Sequence, residues 1–135
     1  MKYGSSGNEY SHAILRGYVN KTGEAIPNYH YEDLINCIKS YIENGAKNPA
    51  IIIDVNHSNS RKKYEEQPRI VSEILHSKKE SRRINQYVKG VMIESYLEDG
   101  AQKISDNMKY GQSITDACLG FEKTEKLLYN IAEKI

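Results

Sequence analysis

One arginine, an aspartate–histidine pair and two further carboxylates occupy the places in this 135-residue chain where chemistry would gather. Arg16 stands at the end of the first of three short apolar runs. Asp54 and His57 end the second and Glu94 ends the third, while Asp116 lies in the loop that follows. In folds of alternating strands and helices, the loops leaving the C-terminal ends of the strands carry the site. An imidazole and two carboxylates on successive loops (His57, Glu94 and Asp116) offer nitrogen and oxygen donors that suit a borderline or hard divalent cation. By pattern alone a plainer alternative stays open, with His57 structural and the two carboxylates solvated or capping helices.

The elements that would position these residues can be read from periodicity. The runs 12–17, 50–55 and 87–94 predict strands near residues 11–16, 50–55 and 88–94. The middle run is apolar without alternation, as in a parallel strand buried on both faces. Leu34, Ile35, Ile38, Tyr41 and Ile42 share one helical face, and Asn44-Gly45 supplies its stop. Ile70, Val71, Ile74 and Leu75 form a second face with Pro68 in its first turn. Leu127, Leu128, Ile131 and Ile135 form a third. The order strand, helix, strand, helix, strand, loop, helix predicts an α/β fold with a parallel sheet and right-handed crossovers. Residues 18–30 and 95–121 read as two long loops, a length usually tied to function or disorder.

Composition narrows the classes. A chain of this length fits one domain. Hydrophobic residues make up 39% and charged residues 27%, as in a globular chain. The 19 basic and 18 acidic residues nearly cancel, so overall charge gives no argument for nucleic acid. The basic pairs 78–79 and 82–83 lack an aromatic platform and read as a solvated helix end. Cys37 and Cys118 form no disulfide framework or metal-type pair. Of the 11 tyrosines, those at helical spacing, such as Tyr41, read as core-edge residues rather than a binding stripe. His12, His30 and His76 have no ligand partner at suitable spacing and read as structural or exposed. No apolar run approaches the ~20 residues of a membrane helix, and residues 1–10 are too polar for a signal peptide. A cytoplasmic protein is expected, with neither nucleic acid nor membrane as a partner.

Four motifs, in order, carry a resemblance. They are Ile14-Leu15-Arg16-Gly17 with Pro27-Asn28-Tyr29, then Ile53-Asp54-Val55-Asn56-His57-Ser58-Asn59-Ser60. Gly90-Val91-Met92-Ile93-Glu94-Ser95-Tyr96-Leu97 follows, with Gly100 and Gln102, and last comes Tyr110-Gly111-Gln112-Ser113-Ile114-Thr115-Asp116-Ala117-Cys118-Leu119-Gly120. These are similar to the ILRG…PNY, IDxSHxNS, GVMxESxL and YGxSITDACxG segments of type I 3-deoxy-D-arabino-heptulosonate 7-phosphate (DAHP) synthases, from about Gly4 to the C-terminus. The resemblance implies a metal-dependent condensation of phosphoenolpyruvate with erythrose 4-phosphate, the first step of the shikimate pathway and of aromatic amino acid biosynthesis. It implies His57, Glu94 and Asp116 as ligands of a divalent ion of the manganese, iron, cobalt or zinc type. It also implies that Arg16 binds the phosphate of phosphoenolpyruvate, with Arg16 and His57 as catalytic residues. The fold implied is a C-terminal segment, about three β/α units, of a (β/α)8 barrel, with residues 1–135 as a single partial domain.

The pattern also departs from the family. A full barrel takes about 250 residues, and the resemblance aligns this chain from just before the sixth strand. The family's cysteine ligand has no counterpart: Cys37 falls mid-helix, and Cys118 sits in a motif whose ligand is the aspartate. Asn56 replaces the serine before the metal histidine, and Tyr18 replaces the second glycine of an ILRGG pair. Residues 19–26 lengthen the first loop, and Phe121 replaces a tryptophan. The expectation is a chain inactive by itself, self-associating or needing a complementary N-terminal chain. The alternatives are a non-catalytic half-barrel remnant or a protein-interaction module.

Overall fold

All three apolar runs become strands in the computed structural model, which describes Gly4 and residues 6–135; within the polar stretch 1–10, residues 1–3 and 5 lie outside the described residues. In chain order the elements are β1 (Ala13–Leu15), β2 (Tyr18–Val19), β3 (Ala25–Ile26), α1 (Tyr31–Glu43), β4 (Ile51–Asp54), a 3-10 turn (Tyr64–Glu66), α2 (Gln67–Glu80), α3 (Arg82–Tyr87), β5 (Val88–Met92) and α4 (Phe121–Ala132). β1, β4 and β5 form one parallel sheet with β4 in the centre. The fold is α/β, and the strands sit where the apolar runs placed them, each shorter by a residue or more at its ends. A bulge at Ile51/Ile52 shifts the register against β5, so Ile51 faces Val88 while Ile52 faces Gly90.

The helices cover one face of this sheet. Leu34 and Ile38 of α1, Ile70, Val71 and Ile74 of α2, and Ile84 of α3 pack with Ile51, Ile53 and Val88, all at most 1% exposed. Burial of such side chains contributes about 1.5–3 kcal/mol each. On the opposite face, Ile14 is 47% and Met92 44% exposed, and Ile52 is only half-buried. The central strand is therefore not covered on both faces as its composition predicts.

The helix ends follow from local chemistry. Glu32 and Asp33 lie in the first turn of α1, where acidic side chains complement the helix dipole. The His30 amide donates to Asp33 Oδ2 at 3.1 Å. The helix stops at Asn44, and Gly45 takes φ +63°, the usual left-handed exit. Pro68 sits in the first turn of α2, where its missing N–H costs nothing.

Three expectations change. Residues 18–30 are not all loop: β2 and β3 pair antiparallel as a hairpin, Tyr18 with Ile26 and Val19 with Ala25. Asn20 Oδ1 holds its turn by accepting from the Thr22 and Glu24 amides. Strands of two residues are too short to show alternation. α3 was hidden in the basic stretch after α2; Ser81 caps it, its hydroxyl accepting from the Ile84 amide. On α4, Leu127 is buried but Leu128 is 54% exposed, because one residue further turns a side chain off the packed face. Ile135 lies beyond the helix end and is 84% exposed. Ile42 on α1 also points outward.

A core on one face only has a measurable consequence. Ile53→Ala should lower the unfolding free energy of the chain by about 2–5 kcal/mol. Ile14→Ala, on the open face, should cost less than about 1 kcal/mol. Urea titrations followed by circular dichroism read both; equal losses would mean that the open face is packed in solution.

Candidate metal centre

The centre is built where β4 and β5 stop. Beyond Asp54 the chain makes a tight turn in which His57 adopts φ +47°, a left-handed conformation uncommon for a non-glycine residue. That turn folds the imidazole back onto its own strand. His57 Nδ1 lies 2.8 Å from Asp54 Oδ2, and Asp54 is 5% exposed. A carboxylate at that nitrogen favours the proton on Nδ1 and leaves the Nε2 lone pair facing outward.

Two further carboxylates face Nε2. Glu94, just past β5, places Oε2 at 3.9 Å, and Asp116, from the loop before α4, places Oδ2 at 3.4 Å. One ligand atom from each of His57, Glu94 and Asp116 lies within 4.8 Å of the others. Donors about 2.1 Å from a common ion stand roughly 3–3.5 Å apart at octahedral or tetrahedral angles. The Asp116 contact already has that spacing, and the Glu94 contact needs a closure of a few tenths of an ångström. The residues therefore fit a divalent cation in chemistry, and the two carboxylate contacts of His57 Nε2 lie at or near the separation it needs. Lys62 Nζ, 3.9 Å from Asp116 Oδ1, is the cation nearest that carboxylate among the described residues, and it is largely solvated.

Side-chain amides hold the loops in place. Asn59 is 3% exposed. Its Nδ2 donates to the carbonyls of Leu15 and Asp54 at 3.0 and 2.8 Å, joining the ends of β1 and β4. Its backbone amide donates to the Arg16 carbonyl at 3.2 Å, and its Oδ1 accepts from the Asn28 amide at 2.8 Å. Asn28 Oδ1 in turn accepts from the Gly17 amide at 2.7 Å. Gly17 has φ +72°, and a Cβ there would lie 2.8 Å from Asn59 N, the Ile26 carbonyl oxygen and Ser58 Cβ. Only glycine fits that crossing.

Glu94 is clamped by a residue no sequence signal marked. Gln67, fully buried at the start of α2, accepts from the Glu94 amide at 2.8 Å and donates to the Glu94 carbonyl at 3.0 Å. Asp116 is held more loosely, in a loop crossed by paired backbone bonds between Gly100 and Cys118. Cys118 is 6% exposed, and burial raises its thiol pKa; the charges of Glu94 and Asp116 push the same way. Burial likewise raises Cys37 within α1. Both favour the neutral thiol rather than a thiolate ligand. Arg16 follows β1, is exposed, and makes no ion pair among the described residues. It flanks the cluster from the neighbouring strand rather than joining it. His30 pairs with Glu73 at 2.6 Å, a contact between α1 and α2 remote in sequence from the centre. Among the described residues no helix is long and apolar enough to cross a membrane.

A family model described as the DAHP synthetase I family matches residues 1–129. A Tyr-sensitive phospho-2-dehydro-3-deoxyheptonate aldolase of Enterobacter agglomerans is 39% identical over 127 residues, covering 92% of this chain and 55% of that protein. The phospho-2-dehydro-3-deoxyheptonate aldolase of Haemophilus influenzae is 35% identical over 133 residues, covering 97% of this chain and 34% of that protein. The solved structure of the aldolase from Francisella tularensis superimposes with a TM-score of 0.82 at 35% identity, covering 98% of this chain and 36% of that one. The chain thus spans between about a third and about half the length of these relatives.

The Gln67 clamp can be tested directly. Gln67→Leu fills the same space but leaves the Glu94 amide buried without its partner, which should cost about 1–3 kcal/mol. Chemical unfolding measures the loss; a variant as stable as the parent would show that water replaces the glutamine.

Proposed function

This chain belongs to the DAHP synthetase I family, and from that premise we propose that its 135 residues form one partial domain, the last three β/α units of a (β/α)8 barrel that condenses phosphoenolpyruvate with erythrose 4-phosphate. The observation that carries the reading is the convergence of His57, Glu94 and Asp116 within 4.8 Å at the C-terminal edge of a parallel sheet. That edge is where barrel enzymes keep their chemistry.

In this reading His57 Nε2, a Glu94 oxygen and an Asp116 oxygen would hold a divalent ion of the manganese, iron, cobalt or zinc type. Such an ion would supply Lewis acidity toward the aldehyde oxygen of erythrose 4-phosphate. Asp54 keeps His57 in the tautomer that presents Nε2. The Arg16 guanidinium, exposed and without an ion pair among the described residues, anchors the phosphate of phosphoenolpyruvate through its planar pair of donors. The C3 carbon of phosphoenolpyruvate then adds to the aldehyde carbon, water attacks C2, and phosphate leaves with cleavage of the C–O bond.

The chain spans 34% of the Haemophilus influenzae relative and 36% of the Trp-sensitive relatives of Enterobacter agglomerans and Escherichia coli, which supports a site that further residues complete. Supporting features are the two sheet edges, at β1 and β5, that no strand pairs among the described residues, and the open apolar face bearing Ile14 and Met92. Unpaired edges and exposed apolar surface favour association. The 135 residues by themselves are accordingly proposed to be inactive, to self-associate, and to act together with a segment that supplies the first five β/α units.

Two measurements test this. Calorimetry with Mn²⁺ should show weak binding to the chain, abolished in His57→Ala and in Glu94→Ala; unchanged binding in both would remove the triad from the site. An assay of phosphoenolpyruvate consumption with erythrose 4-phosphate should find no turnover by the chain alone. Adding a polypeptide that carries the first five β/α units of a family member should produce it. Turnover by the chain alone above a His57→Ala control would overturn the proposed incompleteness.

A further inference from the structure

Asn56 precedes His57 and is 2% exposed. Its side chain is engaged on every side. Nδ2 donates to Glu94 Oε2 at 2.7 Å and reaches the Ala117 carbonyl at 3.5 Å, while Oδ1 accepts from the Ser60 hydroxyl at 2.7 Å. Its backbone amide donates to Asp54 Oδ1 at 2.9 Å, on the carboxylate whose other oxygen faces His57 Nδ1. One buried carboxamide thus adjoins each member of the candidate triad. It is the chain neighbour of His57, the hydrogen-bond partner of Glu94, and a contact of the residue after Asp116.

We propose that Asn56 is the positioning residue of this centre, holding the Glu94 carboxylate so that Oε2 stays beside His57 Nε2 in readiness for a divalent cation. This rests on the metal reading of the triad and adds to it a residue outside the triad. The chemistry of the amide suits the task. It is neutral, so it adds no charge beside Asp54, Glu94 and Asp116. It also carries a donor and an acceptor on one planar group, so it grips Glu94 while Ser60 grips it. A serine at this position, as in the resembling motif, ends one bond nearer the backbone and offers a single oxygen for both tasks. Partners that orient a ligand set the affinity of a site nearly as strongly as the ligands themselves.

The test begins with the metal-free, ¹⁵N-labelled full chain. The Asn56 side-chain amide protons should exchange slowly and shift in Glu94→Ala; protons indifferent to that substitution would show that the contact is absent and overturn the proposal. Mn²⁺ titration follows. Asn56→Ala should weaken Mn²⁺ binding by about 10–100-fold, whereas Ser60→Ala, which removes the hydroxyl's bonds to Asn56 Oδ1 and to the His57 carbonyl but keeps the Nδ2 bond to Glu94, should weaken it less than Asn56→Ala does. Should Asn56→Ala fail to fold, Asn56→Ser carries the measurement, with about tenfold weaker binding expected. Affinity equal to the parent in a folded Asn56 variant, with binding lost in Glu94→Ala, overturns the role of Asn56 and leaves the metal reading intact. Binding that survives both His57→Ala and Glu94→Ala overturns the metal reading and this proposal with it.

Discussion

Where β1, β4 and β5 stop, their last backbone groups lose ladder partners, at the edge where charged side chains must also be held. Burying an unpaired amide or carbonyl is costly. Here the carboxamides of Asn28, Asn56, Asn59 and Gln67 take over the work of the missing ladder. Asn59 ties the carbonyls of Leu15 and Asp54, and Gln67 pairs both backbone groups of Glu94. Among the described residues no buried side-chain nitrogen or oxygen lacks a partner. Neutral amides suit this position because each supplies a donor and an acceptor without adding charge beside three carboxylates. The placement of Glu94, and of the turn that carries His57, rests on these bonds, whereas Asp116 meets the group through His57 and Lys62.

That dependence explains how the centre tolerates its electrostatics. Asp54, Glu94 and Asp116 gather around one imidazole, and close carboxylates repel. The nearest lysine, Lys62, stands 3.9 Å from one Asp116 oxygen and is mostly in water, where its attraction is weak. The scaffold holds the group together at some cost in stability, and the left-handed backbone at His57 adds strain of the kind found where function requires a geometry. A divalent cation between these carboxylates would offset their repulsion.

Much of the frame was legible because its signals are local. Ile51, Ile52 and Ile53 mark a strand by composition, Leu34 and Ile38 mark a helix by spacing, and Asn44-Gly45 marks its end. The positions of His57 and Glu94 follow from the strands they terminate. What stayed hidden depends on contacts between distant residues or on elements too short for a period. Gln67 meets Glu94 across 27 positions, and nothing in its neighbourhood distinguishes it from a surface glutamine. Asn56 stood out only as a departure from a motif; its bond to Glu94 spans 38 positions. The hairpin of β2 and β3 and the six-residue α3 are set by turn and cap chemistry, at Asn20 and Ser81, rather than by an apolar pattern.

One departure in the sheet bears on function. Parallel strands are normally covered on both faces, yet Ile14 and Met92 are open on the face opposite the helices, and among the described residues β1 and β5 each keep an unpaired edge. In sequence, Arg16 stands two residues on from Ile14, and Glu94 two residues on from Met92. The surface that lacks a cover therefore borders the residues that would bind phosphate and metal. Three protein donors leave a divalent ion with open positions, which water fills or a further ligand completes. Any segment that paired with the free edges and buried the open face would bring its own side chains to the same rim. Covering the apolar face and completing the coordination would then be a single event, so that stability and chemistry in this architecture are coupled through one surface.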